Sequence, residues 1–237
     1  MSANDVSGRT VVITGAASGI GRALALGFLK DGAKVVAADI NGQGLAAVQE
    51  AGGIAVEADV TKADEVARTV EAAVSATGRI DVLFNNAGLG ANTRIEELEP
   101  GVFERFMAVH VFGALYGLQA ALPVMRAQGY GRVINTLSRG AESRRPGWAA
   151  YGSAKAALFA LTRIAASEVE GVDILINGMI PGPTLSGMMK GEGLQAPEAV
   201  YPHALKLATL PAGGPNGQVF WDSRPYALFR DQMQPAG

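Results

Sequence analysis

Short, wholly apolar runs alternate along this chain with longer segments of helical period, and few folds tolerate that alternation. Thr10–Thr14 (TVVIT) reads as a buried strand and Ile20–Lys30 as the helix after it. Lys34–Ala38 is a second strand, followed by a helix through Leu45, Val48 and Gln49; Ile54–Glu57 is a third, followed by a helix over Lys62–Ala76. Strands at Ile80–Phe84, Arg132–Leu137 and Val172–Asn177 enclose a long helix within Pro100–Gln128 and another over Ala149–Val169. Strands separated by helices cannot pair as hairpins, so they run parallel and are joined by crossovers. Their lack of a polar face fits a sheet covered by helices on both sides. The expectation is one α/β domain over residues 1–237, a doubly wound parallel sheet of about seven strands.

Composition removes several chemistries. With no cysteine and only two histidines, His110 and His203, the chain has no disulfide, no thiolate nucleophile and no metal site built on Cys or His clusters. A formal net charge of −2 supplies no basic field for nucleic acid or an anionic membrane surface. Met1–Gly8 has neither the basic nor the apolar part of a signal peptide, and no apolar run approaches the roughly 20 residues of a membrane helix. A cytoplasmic protein is expected. After Gly178 the pattern weakens: Pro181–Gly193, rich in Gly, Pro and Met, reads as a substrate lid, and Gln218–Trp221 as a short last strand.

The first candidate site is the turn between the first strand and helix, Thr14-Gly15-Ala16-Ala17-Ser18-Gly19-Ile20-Gly21. Glycines let the backbone approach a pyrophosphate, and the helix start offers unpaired N–H groups and a positive dipole end. Asp39 ends the second strand, where a carboxylate accepts hydrogen bonds from both adenosine ribose hydroxyls and repels a 2′-phosphate. No basic residue stands at Ala17, Ser18, Ile40, Asn41 or Gly42 to attract that phosphate. NAD is therefore favoured over NADP; a simple strand-end turn acid is the competing reading of Asp39.

The second constellation is Tyr151-Gly152-Ser153-Ala154-Lys155, whose spacing puts phenol and ammonium one helical turn apart on one face. A free phenol titrates near ~10, and a neighbouring lysine charge lowers that value, which would let Tyr151 exchange a proton with an alcohol or carbonyl. Ser138, just past the fifth strand, can hold the substrate oxygen beside the phenol.

Taken in order, these motifs resemble the short-chain dehydrogenase/reductase superfamily in its single-domain form, with its Rossmann-like fold, over residues 9 to about 187. The resemblance also rests on Asp59-Val60, Asn85-Asn86-Ala87-Gly88 and Pro181-Gly182. It implies a cofactor site of Gly15, Ser18, Gly19, Ile20, Gly21, Asp39, Ile40, Asp59, Val60, Asn86, Ala87, Gly88, Val109, Tyr151 and Lys155. Asp59 and Val60 would contact the adenine and Lys155 the nicotinamide ribose, while the residues after Pro181-Gly182, here Thr184 or Ser186, close on the carboxamide. It implies catalysis by Ser138, Tyr151 and Lys155, with a fourth position in a V-N-x-x-G context. That context here reads Val109-His110-Val111-Phe112-Gly113, as in the hydroxyacyl-CoA dehydrogenase domains of peroxisomal multifunctional enzymes. His110 keeps the main-chain carbonyl and offers a titratable ring; a histidine merely packed beside the site is the equal alternative. Arg224-Pro225-Tyr226 departs from the family's glycine-rich ending.

The loop Arg139–Trp148 should border the substrate, with Trp148, Leu89, Met188 and Met189 suited to an apolar one. Arg144 and Arg145 could receive an acidic group, although solvated loop arginines are the favoured reading. The leading function is an NAD(H)-dependent oxidoreductase interconverting a secondary alcohol and a ketone. A dinucleotide-binding regulatory protein with weak or no turnover, or a dehydratase or epimerase using the same tyrosine, are the alternatives. Apolar residues on several sides of the long helices (Phe103, Phe106, Leu115, Leu118, Leu158, Phe159, Leu161), together with the family's habit of pairing those helices across subunits, imply a homodimer or homotetramer.

Overall fold

A computed structural model of the chain describes residues 5–90, 92–185 and 191–229. The strands are β1 (Thr10–Thr14), β2 (Lys34–Asp39), β3 (Ile54–Glu57), β4 (Val82–Asn85), β5 (Tyr130–Thr136), β6 (Asp173–Ile180), β7 (Val219–Trp221) and β8 (Arg224–Pro225). They form one sheet in the order β3-β2-β1-β4-β5-β6-β7-β8, parallel throughout except for the β7–β8 hairpin. The doubly wound parallel sheet is therefore as expected, with β8 as an eighth strand. The chain winds outward from β1 to β3 and returns to β4 on the other side of β1. That reversal opens a crevice at the carboxyl ends of β1 and β4, where open α/β sheets bind ligands.

The period of two along each strand sorts the core onto both faces. Val11, Ile13, Val35, Ala37, Val82 and Phe84 pack with helix α1 (Gly19–Lys30) and helix α7 (Tyr201–Ala208). Val12, Val36, Leu83, Val133 and Ile176 pack on the opposite side with α3 (Ala63–Thr77), α5 (Gly113–Gln128) and α6 (Ala149–Ser167). Each fully buried Val, Ile, Leu or Phe among these stabilises the fold by about 1.5–3 kcal/mol.

Several elements differ from expectation. The second helical segment is a 3-10 turn (Gly42–Leu45) running into the short α2 (Ala46–Glu50). Strand β4 starts two residues late, because Asp81 is drawn aside to accept from the Thr10 amide (2.8 Å) and to pair with Arg79. Strand β6 continues to Ile180 because β7 pairs along Gly178–Ile180. Helix α7 has no counterpart in the sequence expectations.

The expected long helix is α4 (Val102–Met107), one π-helical turn (Ala108–Phe112) and α5 in succession. By length and composition alone Val102–Gln128 is long and apolar enough to cross a membrane, contrary to the expectation that no such run exists. Phe106, Ala114, Leu118, Ala121 and Met125 of this segment are buried, whereas Phe103 and Phe112 are exposed.

Candidate active site

The glycine turn is shaped by what it touches. Gly15 and Gly19 are left-handed (φ 68° and 49°). A Cβ on Gly21 would lie 2.0 Å from the Gly15 carbonyl oxygen, and one on Gly15 would lie 2.7 Å from the Ala87 Cα. The turn thus seats directly on Asn86-Ala87: the Asn86 side-chain amide donates to Thr14 O (3.0 Å) and Gly15 O (3.3 Å), and the Ala87 amide donates to the Thr14 hydroxyl. Ser18, at the start of α1, makes no side-chain cap, and no acidic residue lies in the first turn. The helix start therefore remains free to take an anionic group.

Asp39 accepts from the Ala17 amide through one oxygen (2.9 Å) and from the Asn41 amide through the other (2.9 Å). It joins the end of β2 to the glycine turn while keeping lone pairs for hydroxyl donors. Ile40 beside it is exposed. Asp59 accepts from the Thr61 amide and hydroxyl, and Val60 packs beneath Gly113. Asp39 and the glycine turn therefore share the crevice with Asn86, Ala87 and Gly88.

Ser138 follows β5, while Tyr151 and Lys155 lie in the first turns of α6. The Lys155 ammonium is buried and donates to the Thr136 carbonyl at 2.6 Å. Burial pushes its pKa down to about 7. It has donors to spare for ribose hydroxyls, so the residues present fit a nicotinamide nucleotide. The Tyr151 phenol sits higher than usual, because burial outweighs the hydrogen bond from Ser138 that lowers it. This corrects the expectation that the lysine charge sets the phenol: the ammonium lies 5.8 Å from the Tyr151 ring centre, turned toward Thr136. The Ser138 hydroxyl also accepts from the Gly140 amide (3.0 Å), which fixes its direction.

His110 sits in the π-helical turn, a feature often found at functional sites. Its Nε2 lies 3.1 Å from the Leu89 amide nitrogen and 3.0 Å from the Leu89 oxygen. Its ring meets Tyr151 edge-on, with centroids 5.6 Å apart. A Cβ on Gly88 would lie 2.7 Å from the histidine Cε1, so Gly88 and His110 are fitted to each other. The expected titratable ring is overturned: burial first, then the nearby Lys155 charge, push its pKa down to about 2. His110 Nδ1 and Asn85 Oδ1 are buried without hydrogen-bond partners among the described residues. The two residues share a small cavity with Thr14, Val60, Val109 and Gly113.

Beyond β6, Pro181 and Gly182 lead to Thr184, whose hydroxyl donates to Gly182 O (2.7 Å) and accepts from the Gln195 side chain (3.0 Å). Gln195 thereby closes the base of the expected lid. Ser186, Met188 and Met189 lie outside the described residues. Trp148 does border Tyr151, edge-on at 5.5 Å, and Leu89 packs in the same apolar cluster. The unusual ending also has a place: the Tyr226 hydroxyl and the Phe229 amide both donate to the Glu142 carboxylate, in the turn just after Ser138. Thr136, Gln195 and Glu142 were absent from the sequence reading as site residues, and Leu89 entered it only as an apolar side chain. Thr136 and Leu89 act through backbone atoms, which leave no trace in residue type.

The short chain dehydrogenase family profile matches residues 9–196. The chain is 31% identical to fluoren-9-ol dehydrogenase of Terrabacter sp. (strain DBF63), over 92% of this chain and 71% of that protein. It is 36% identical to 3beta-hydroxysteroid dehydrogenase 2 of Eggerthella lenta, over 81% of this chain and 76% of that protein. The fold superimposes on 3-ketoacyl-(acyl-carrier-protein) reductase from Brucella melitensis complexed with NADH, with a TM-score of 0.85 and 30% identity, covering 91% of this chain and 97% of that one. Sequence motifs, sheet order and relatives agree: this chain belongs to the short chain dehydrogenase family of oxidoreductases.

Proposed function

We propose that the protein, acting as one domain, is an NAD(H)-dependent oxidoreductase that interconverts a secondary alcohol and a ketone. The observation that carries this reading is the convergence of Ser138, Tyr151 and a buried, carbonyl-anchored Lys155 beside the glycine turn. The relatives named above act, by their names, on hydroxyl or keto groups.

In this reading Gly15, Ser18, Gly19, Ile20 and Gly21 take the pyrophosphate. Asp39 and Ile40 take the adenosine ribose, and Asp59 and Val60 the adenine. Asn86, Ala87, Gly88 and Val109 line the far half, and Pro181, Gly182 and Thr184 receive the carboxamide. The bound nicotinamide supplies the hydride acceptor or donor at the carbinol carbon. Tyr151 accepts the hydroxyl proton as that carbon is oxidised, or returns it to the carbonyl oxygen in the reverse direction. Ser138 donates to the same oxygen. Lys155 donates to the ribose. His110 is a positioning residue that fixes Leu89 and, through it, the chain beside Gly88. A bound cationic ring would oppose the burial that raises Tyr151. NAD is preferred because Asp39, held by two backbone amides, keeps a negative charge where a 2′-phosphate would lie.

Purified protein incubated with NAD or NADP and a panel of secondary alcohols, followed by reduced-cofactor absorbance, tests the reading. Turnover with NAD and weaker turnover with NADP is expected, and Asp39→Ala should narrow that ratio. Cofactor binding without turnover on any alcohol or ketone would instead favour a regulatory protein on this fold.

A further inference from the structure

Tyr151 belongs to a row of stacked groups that runs out of the site. On one side lie His110 and then Phe106, parallel-stacked at 5.7 Å. On the other side Trp148 stands edge-on to Tyr151, and the guanidinium of Arg145 lies 4.8 Å from the Trp148 ring centre. The turn that carries Arg145 is well held. The Arg145 amide donates to the Ser143 hydroxyl (3.1 Å), and its carbonyl accepts from the Trp148 amide (3.3 Å). Gly147 is left-handed and so close to Asn92 that a Cβ would fall 1.9 Å from the asparagine oxygen.

Among the described residues nothing accepts from this guanidinium. Among the described residues, Arg9, Arg132 and Arg139 also stack on aromatic rings, but each gives its N–H groups to protein acceptors. Within the same set Arg145 and Arg163 stack without giving their side-chain N–H groups to an acceptor, and only the ring under Arg145 touches Tyr151. A guanidinium laid on an aromatic face keeps its planar fork of donors at the edge, oriented in advance for an oxyanion.

We propose that the substrate of this site carries an oxyanion, a carboxylate or a group of like geometry, which Arg145 binds bidentately while an apolar span between that group and the carbinol carbon lies against Trp148. This rests on the alcohol–ketone reading above and adds the polarity of the substrate's far end. The half-buried Trp148, edge-on to Tyr151 at 5.5 Å, offers the apolar face for that span.

The test compares 4-(1-hydroxyethyl)benzoate with its methyl ester, which has the same span without the charge. Wild type should favour the acid in kcat/KM by about fivefold or more, and added salt should erode that preference. Arg145→Gln should abolish the preference by raising KM for the acid several-fold more than for the ester; Arg163→Gln should leave the preference intact. Equal effects of Arg145→Gln on acid and ester, or none on either, would overturn the proposal. Binding of 4-acetylbenzoate and its methyl ester to the NADH-loaded protein, read by tryptophan quenching, gives a readout independent of turnover. Arg145-dependent binding of the acid without any turnover would retain the anion subsite and sink the hydride-transfer reading. Turnover of both compounds without acid preference would do the reverse.

Discussion

Among the described residues the buried Lys155 ammonium has one acceptor, the Thr136 carbonyl, and burying that charge costs the nucleotide-free protein stability. Its folded pKa of about 7 lies below the ordinary 10.5, so from about pH 7 upward the unfolded chain binds more protons than the folded one. Stability of the nucleotide-free protein should therefore rise with pH across that window. The burden is fully present below it. Lys155→Met should stabilise the nucleotide-free protein by ~2–4 kcal/mol at pH 6 and by much less at pH 9.5. Denaturant titrations at the two pH values check this; an equal difference at both would contradict it. The residues that sequence reasoning assigned here are those whose side-chain chemistry is distinctive at its spacing, such as Tyr151, Lys155 and Asp39. Their actual electrostatics were not legible, because burial set the titration of Tyr151, Lys155 and His110, and burial depends on neighbours far along the chain.

Among the elements, the βα crossovers were readable because strand and helix periods differ so plainly. The π-helical turn was not, since residues 102–128 read as one continuous helical pattern; its extra residue is what brings His110 to Leu89 and Tyr151. Helix α7 was missed because it is short and carries Pro202 at its start, although Ala204, Leu207 and Ala208 share the buried side. The hairpin of β7 and β8 shows what the unusual ending does: it carries Tyr226 and Phe229 onto Glu142, beside the serine. Glu142→Ala should loosen this closure, costing about 1 kcal/mol and increasing hydrogen exchange at the Phe229 amide. Unchanged exchange there would mean that the segment is held by packing of Leu228 and Phe229 alone.

For the molecule as a whole, the sheet order follows from the alternation of elements, and the site follows from the sheet order. The reversal beside β1 gathers the glycine turn, Asn86 and the end of β5 at one edge, though they are far apart in sequence. Subunit number was less legible because it depends on which apolar side chains remain uncovered. Phe103, Phe112 and Ile164 do remain exposed on the α4–α6 helices. Light scattering should give a mass of two or four times the 24.4 kDa chain, and Phe112→Glu combined with Ile164→Glu should reduce it to one; a monomeric wild type would remove the oligomer proposal. The central claim, that Tyr151 moves the proton while hydride is transferred, is most directly tested by Tyr151→Phe, with NAD affinity and turnover measured on the same preparation. The account predicts NAD binding within about twofold of wild type and turnover lower by ~10³-fold or more. Turnover within about tenfold of wild type would contradict it.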